Sequence, residues 1–560
     1  MRERVEYAWR LWLLLAALLL MVLLLVGRIV FLGVIKHDFL LDQSNMRSVR
    51  DITTSAHRGI ISDRNGEPLA ISIPVGSIWV NPKLFTPTGK ELDALAKLLA
   101  MSVTNIQTKV TKQSNREFVY IKRAIPMEQA KQILDLKVAG VFLEKGFKRY
   151  YPEGEAAAHV VGFTNIDDVG QEGLELAYDH WLRGVPGKIR VVKDRLGNIV
   201  ATLSVISEAR DGHNLTLSID RRIQYLAYNE LKNSILQRKA ESGSVIVLSA
   251  KTGEIFAMVN VPSYNPNNRR GVFVSSLRNR AATDLFEPGS TIKLFTVASA
   301  LNSGKYHPSS LVDTNPGMFK VEGHTIYDDG HRNNGKLTVK GILQKSSNIG
   351  VAKMTLSLPS DNLLIMLRQV GFGRSTESGF PGEAQGYLPD NLKRRFFILA
   401  TLAFGYSISV TPLQLAQAYA IVANNGIRYP ITFVKAKLPI VGEKILSSKL
   451  CQQLLDMLEA VTDIGGTGRR AQIPGYRVAG KSGTAHIASP HGGYYADRYF
   501  ANFVGIAPVS DPELVVVVMI KNPRGFYHGG QVAAPLFTSV MNGALRILGI
   551  KLDAADGDSL

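Results

Sequence analysis

The chain begins with an apolar block: from Leu11 to Gly27 (LWLLLAALLLMVLLLVG) there is no charged side chain, and after Arg28 the apolar run resumes to Ile35. Roughly 20 apolar residues cross about 30 Å of hydrocarbon, and an arginine near one end reaches the headgroups. A soluble helix would carry a polar face. A cleaved leader would have a shorter apolar core and a small-residue cleavage site, whereas bulky Arg28-Ile29-Val30-Phe31 follows here. The pattern therefore predicts a short tail over 1–10 and an uncleaved anchor over 11–35. Charge does not orient it, because Arg2, Arg4 and Arg10 on one flank face Arg28, Lys36, Arg47 and Arg50 on the other. The next apolar stretch of note, between Glu513 and Lys521, is short and β-branched, as in a buried strand.

Over 45–210, short β-rich runs alternate with turns. Asp63-Arg64-Asn65-Gly66 between apolar runs is a hairpin signal, and further turns fall at Val185-Pro186-Gly187 and Leu196-Gly197-Asn198. From 211 to 550 the segments lengthen. Leu215 opens a strand, Arg222 a helix, and Ser244 and Glu254 begin the arms of a hairpin turning at Lys251-Thr252-Gly253. Thr411-Pro412-Leu413-Gln414 reads as a capping box with proline in the first turn, starting a helix that ends at Asn425 before Gly426. β-branched runs near Phe503 and Val515 precede a helix from Ala534 to Leu548, and a short tail covers 551–560. Strands at both ends of this half around a helical middle predict an α+β domain whose terminal segments share one sheet.

With 560 residues, 46% of them apolar and 20% charged, the chain has more than one domain's worth of side chain to bury and is neither disordered nor fibrous. A single cysteine, Cys451, excludes an internal disulfide and any Cys-based zinc or iron–sulfur site. The formal charge of +18 suits anionic lipid or an acidic polymer. Nucleic-acid binding has that charge in its favour and no recognition motif. His324 and His331 are the nearest approach to a metal motif, without a His-Glu-x-x-His, so neither metal nor other cofactor is expected.

The chemistry lies in three separated triplets. Ser290-Thr-Ile-Lys293 follows Glu287-Pro288-Gly289, and at a helix start residues i and i+3 share a face. A lysine held neutral by burial can take the serine proton, while helix N-terminal amides favour the developing negative charge. Alone, Ser-x-x-Lys is weak. Ser346-Ser347-Asn348 and Lys481-Ser482-Gly483-Thr484 follow in order, and that ordered set serves acyl transfer in penicillin-binding proteins and serine β-lactamases.

On these residues the chain resembles a class B penicillin-binding protein of the cell-division type, almost from end to end. Arg58-Gly59, Asp63-Arg64-Asn65-Gly66, Arg149-Tyr-Tyr-Pro, His159, Gly162, Gly173-Leu-Glu and Leu182-Arg-Gly resemble that family's non-catalytic pedestal. Tyr264 to Asn268, Phe286-Glu-Pro-Gly-Ser-Thr, Lys345-Ser-Ser-Asn and Gly480 to Ala485 resemble its transpeptidase half. Two departures are Leu294, where many relatives have proline, and Ser407, where glycine is common.

The resemblance implies a membrane anchor helix, a β-rich extended pedestal over 45–210, and over 211–550 a β-lactamase/transpeptidase-like domain with a central antiparallel sheet and a helical subdomain. It implies a peptidoglycan D,D-transpeptidase in septal wall synthesis. Ser290 would be the acylated nucleophile and Lys293 its base; Ser346 would relay the proton and Asn348 hold the donor amide. Lys481 would tune the field, and Ser482, Gly483 and Thr484 would bind the stem-peptide carboxylate. Tyr499, Phe503, Tyr527 and His528 would border the cleft. Stem peptides and β-lactams are the implied ligands. With no glycosyltransferase segment visible, a SEDS-type polymerase and other divisome membrane proteins are the implied partners, with the protein single-pass in the bacterial inner membrane and its catalytic half in the periplasm.

Two motifs compete. Gly475 to Ser482 fits G-x-x-x-x-G-K-[ST], but Gln472-Ile473-Pro474 before it and Gly483, Pro490, Gly492 and Gly493 after it deny the strand and helix a phosphate loop requires. Lys251-Thr252-Gly253 precedes Ser290 and sits at a turn. A β-lactam-hydrolysing or sensing relative, or a tethered scaffold with a vestigial site, would share the triplets.

Overall fold

The computed structural model describes residues 8–194, 199–437 and 440–554. Arg2 and Arg4, the turn at Leu196-Gly197-Asn198 and the tail beyond 554 lie outside them. The chain divides into two compact units. One comprises the stretch ending at His57 with Pro74–Phe147 and Gly184–Gly212; the other comprises Arg58–Ile73, Lys148–Arg183 and the chain from His213 onward.

In the first unit the apolar block forms α1 (Ala8–Val30), followed by a π-helical turn at Phe31–Ile35 and α2 (His37–Ser48). The stretch Trp9–Ile35 is long and apolar enough to cross a membrane, and none of its most apolar window is buried by protein. Such a surface calls for lipid. β1 (Val49–Thr54) follows directly. Five more strands contribute pairings here: β2 (Pro68–Val80, in this unit from Pro74), β3 (Val119–Pro126), β4 (Val141–Tyr150, in this unit to Phe147), β5 (Gly187–Lys193) and, at the edge, β6 (Ile199–Ser207). β1, β5 and β6 make an antiparallel sheet in which Asp51 and Arg190 are Cα partners and an ion pair at 2.8 Å. β3 and β4 flank β2, and Ile78, Val80, Val119 and Ile121 pack against α3 (Gly89–Leu99), α4 (Val103–Thr111) and α5 (Met127–Asp135).

In the second unit, segments far apart in sequence meet on one buried carboxylate. Glu175 accepts from Arg58 Nε at 2.7 Å and from Arg149 Nε at 2.6 Å, and Arg58 also reaches Asp179 at 2.8 Å. This cluster joins 58–73 to 148–183, and Tyr151, whose N–H donates to Asn267 Oδ1 at 3.0 Å and whose carbonyl accepts from Asn267 Nδ2 at 2.8 Å, joins them to the chain that carries the three triplets, so the compact units do not follow the order of the chain. The expected Asn65-Gly66 hairpin is present: Asp63 caps the turn by accepting from the N–H groups of Asn65 and Glu67.

This unit's centre is a five-stranded antiparallel sheet. Its strands are β7 (Ser242–Ser249), β8 (Ile255–Val261), β9 (Ala479–Ala488), β10 (Tyr494–Ala507) and β11 (Leu514–Lys521), in the spatial order β8-β7-β11-β10-β9. The strands at the two ends of this half thus share one sheet. Both faces are covered, which is why β11 reads as a continuous β-branched run rather than an alternation. Val516, Val518 and Ile520 face α6 (Arg221–Gln237) and a long C-terminal helix; Val515, Val517 and Met519 face the helical middle. That middle includes α7 (Lys293–Asn302), α8 (Val339–Lys345), α9 (Asn348–Leu356), α10 (Pro412–Ala423) and α11 (Ser448–Thr462), and the C-terminal helix is α12 (Gly529–Ile547).

α10 has the expected capping box at Thr411 and Gln414, and Gly426 follows at φ +87°. α12 starts five residues before the expected Ala534, so that Pro535 lies inside it. The phosphate-loop alternative fails structurally, because Lys481 and Ser482 lie within strand β9. Lys251 sits at the β7–β8 turn, paired with Asp511 and Glu513.

Candidate active site

Ser290 lies in a single 3₁₀ turn, Gly289–Ile292, that feeds α7, so that Lys293 is the helix's first residue. The turn is held from two sides by backbone too close for any side chain. Gly289 has φ +57°, and a Cβ there would stand 2.7 Å from the Thr484 carbonyl of β9; a Cβ at Gly405 would stand 2.0 Å from the Gly289 carbonyl. Only glycine fits both positions. Pro288 O accepts from Thr291 Oγ1 at 2.9 Å and from Asn502 Nδ2 at 3.2 Å, fixing the approach to the serine.

Lys293 and Lys481 are fully buried. Lys293 Nζ donates to Ser346 O at 2.5 Å and to Asn348 Oδ1 at 2.6 Å, with Ser346 Oγ at 3.2 Å. Lys481 Nζ donates to Ser346 Oγ at 3.0 Å and to Ser482 O at 3.0 Å. The three triplets therefore converge on one hydroxyl between two amines. Ser346 reaches that place as the left-handed cap (φ +58°) that ends α8, and Ser347 then caps α9, so Asn348 begins the next helix facing Lys293.

Burial drives the ammonium of Lys293 down to about 7, against the attraction of Asp328 and Asp329. Lys481 is pushed well below its ordinary value by burial, and then by Lys293 itself. Desolvation disfavours the charged amine, and two amines facing one hydroxyl cannot both keep a proton cheaply.

On β9, Ser482 Oγ donates to Thr467 Oγ1 at 3.0 Å, and Thr484 Oγ1 accepts from the N–H of Gly529 at 3.0 Å. Gly483 lies against Pro288 O and Asn502, leaving no room for a Cβ. Among the expected cleft aromatics, Tyr499 stacks on Tyr527 with centroids 4.2 Å apart, and Tyr527 meets His528 at 4.3 Å. Phe503 is a correction. Its ring is fully buried against Phe537 of α12 at 4.9 Å, in the core on that face of the sheet.

His486, which the sequence reading missed, lies 4.5 Å from Tyr499, its Cα partner. Strand alternation gives the signal: two residues past Thr484 on one strand lie on the same face. Ser407 occupies φ +61°, a conformation that glycine adopts freely, and its N–H donates to Glu287 Oε1 at 2.8 Å. Leu294 is simply buried core. Among the described residues no group of three or more His, Cys, Asp or Glu could hold a metal.

A helix-start serine, a buried low-pKa lysine three residues on and a second lysine sharing a relay hydroxyl define a serine acyl-transfer enzyme. The comparisons narrow this. The family model of the penicillin binding protein transpeptidase domain matches residues 243–542, and that of the penicillin-binding protein dimerisation domain matches 53–217. The peptidoglycan D,D-transpeptidase FtsI of Escherichia coli (strain K12) is 41% identical over 98% of this chain and 93% of its own length. The probable peptidoglycan D,D-transpeptidase PbpC of Pseudomonas aeruginosa is 41% identical over 94% of this chain and 93% of its own length. Among solved structures, penicillin binding protein 3 of Mycobacterium tuberculosis complexed with aztreonam is 27% identical, with a TM-score of 0.70 over 90% of this chain and 98% of that one. The chain belongs to the penicillin-binding protein transpeptidase family.

Proposed function

We propose that this chain is a peptidoglycan D,D-transpeptidase that cross-links stem peptides through an acyl-enzyme on Ser290, in the septal wall, and that β-lactams inhibit it. The observation carrying this reading is Ser346 Oγ, set 3.2 Å from Lys293 Nζ and 3.0 Å from Lys481 Nζ. Both N–H bonds of a neutral Lys293 point to the short acceptors Ser346 O and Asn348 Oδ1. Its lone pair is then left to take the Ser290 proton as Oγ attacks the carbonyl carbon of a terminal D-Ala-D-Ala bond.

The oxyanion is received by the N–H groups of Ser290 and Thr484, and each such donor contributes about 3 to 4 kcal/mol in comparable enzymes. Collapse breaks the C–N bond, Ser346 passes a proton to the departing D-alanine amine, and an ester on Ser290 remains. An acceptor amine attacks that ester, the acyl C–O bond to Ser290 breaks as the amide cross-link forms, and the amine's proton returns through the same lysines to Ser290 Oγ. Ser482, Gly483 and Thr484 bind the donor carboxylate, Asn348 its amide, and Tyr499, Tyr527 and His528 border the bound peptide. A β-lactam takes the donor's place and leaves a slow ester.

The apolar helix over 11–35 anchors the protein in the inner membrane. The pedestal over 45–210 and the catalytic half over 211–550 lie in the periplasm, with a SEDS-type glycosyltransferase and divisome membrane proteins as partners. The test is product analysis with a D-Ala-D-Ala donor and a competing amine. Cross-linked peptide in excess of hydrolysed donor is expected; hydrolysis alone would favour the hydrolase reading.

A further inference from the structure

Asp328 belongs to none of the three triplets. It follows the short strand His324–Tyr327, is 4% exposed, and directs both carboxylate oxygens at the junction between α8 and α9. Oδ1 accepts from the N–H of Ile349 at 3.0 Å, and Oδ2 accepts from Ser347 Oγ at 2.8 Å and from Asn334 Nδ2 at 2.7 Å. Ser347 Oγ in turn accepts from Gly350 N at 3.0 Å. Two otherwise unpaired N–H groups at the start of α9 are thereby met by a serine and a carboxylate, the polarity a helix N-terminus favours. The preceding residue, Tyr327, accepts Asn348 Nδ2 through its carbonyl at 2.8 Å and so turns Oδ1 of that amide toward Lys293.

We propose that Asp328 is a positioning residue for the acyl transfer. It holds the α8–α9 junction so that Ser346 O and Asn348 Oδ1 take both N–H bonds of Lys293 and leave its lone pair to Ser290. The inference rests on Lys293 being the base. A strained left-handed serine between two helices needs an outside hold, since nothing in its own backbone conformation favours it. The charge has a second consequence. The charged groups acting on Lys293 are Asp328, Asp329 and Lys481, and the two carboxylates favour its protonated form. Neutralising position 328 therefore lets Lys293 lose its proton at lower pH.

The experiment measures the second-order acylation constant of the full-length, detergent-solubilised chain by benzylpenicillin between about pH 5 and 9. Asp328→Asn is expected to lower the alkaline plateau about ten-fold or more and to move the acidic midpoint to lower pH. Ser347→Ala, which keeps the charge and removes one of its holds, is expected to lower the plateau at the wild-type midpoint. A plateau loss in Asp328→Asn without a shift would reduce Asp328 to a structural residue and overturn the proposal, as would wild-type kinetics in either variant. Where Asp328→Asn does not fold, wild-type kinetics in Ser347→Ala still overturns the proposal. A wild-type chain that gains no adduct at Ser290 would instead sink the assignment of the active site, before Asp328 is in question.

Discussion

Lys293 illustrates how one side chain's surroundings set a chemistry. A lysine in water keeps its proton to beyond pH 10, and general-base work near neutrality needs that proton gone. Full burial supplies the change, bringing the amine to about 7, and the two nearest acceptors orient what remains. The sign follows: below 7 the amine is charged and has no lone pair for Ser290; above 7 it is neutral. Acylation by a penicillin should therefore rise with pH along a limb centred near 7, read by stopped-flow at saturating buffer, and Lys293→Met should abolish the limb with the rate. Gly405 is the second sensitive residue. A Cβ there would overlap the Gly289 carbonyl at 2.0 Å, displacing the turn that carries Ser290. Gly405→Ala is expected to lower acylation by about 100-fold or more, since a misplacement near 1 Å has that effect.

At the scale of elements, β9 does most of the assembly. It is the sheet's edge strand, and it presents Lys481 to Ser346 while its Gly483 and Thr484 backbone presses on the serine turn. Its neighbour β10 has an opposite duty at Phe503, which fills the core under α12. Phe503→Ala is expected to destabilise the fold by about 3 to 5 kcal/mol in urea titrations, while acylation per folded molecule stays at the wild-type rate. Loss of acylation without loss of stability would return Phe503 to the cleft.

This is also where the limits of reading sequence are visible. The three triplets, the Thr411 box and the Asn65-Gly66 turn were legible because each is local chemistry with a fixed spacing. Phe503 was not, because it shares a face with Tyr499 four residues earlier, and what separates the two is where α12 covers that face, which alternation does not report. Asp328 escaped for a different reason: a lone aspartate has no signature until a distant helix junction is placed beside it.

For the molecule as a whole, the apolar helix and the catalytic half are separable in physical terms. The helix exposes leucine on every side and demands lipid, while the site's named contacts all fall within residues 287–529. Deleting residues 1–36 should therefore abolish liposome flotation and leave the acylation constant unchanged. The long apolar helix was legible from its uncharged run of residues. The joining of 58–73 to 148–183 was not, because it depends on Glu175 receiving two arginines from segments with no periodic relation to each other.

The central claim is that three remote triplets build one nucleophile, and intact-mass spectrometry after brief exposure to benzylpenicillin, followed by peptide mapping, tests it most directly. The account predicts a single penicilloyl adduct on the peptide containing Ser290, persisting through the measurement and absent from Ser290→Ala. A folded chain that stays unmodified, or carries the adduct on another residue, would contradict it.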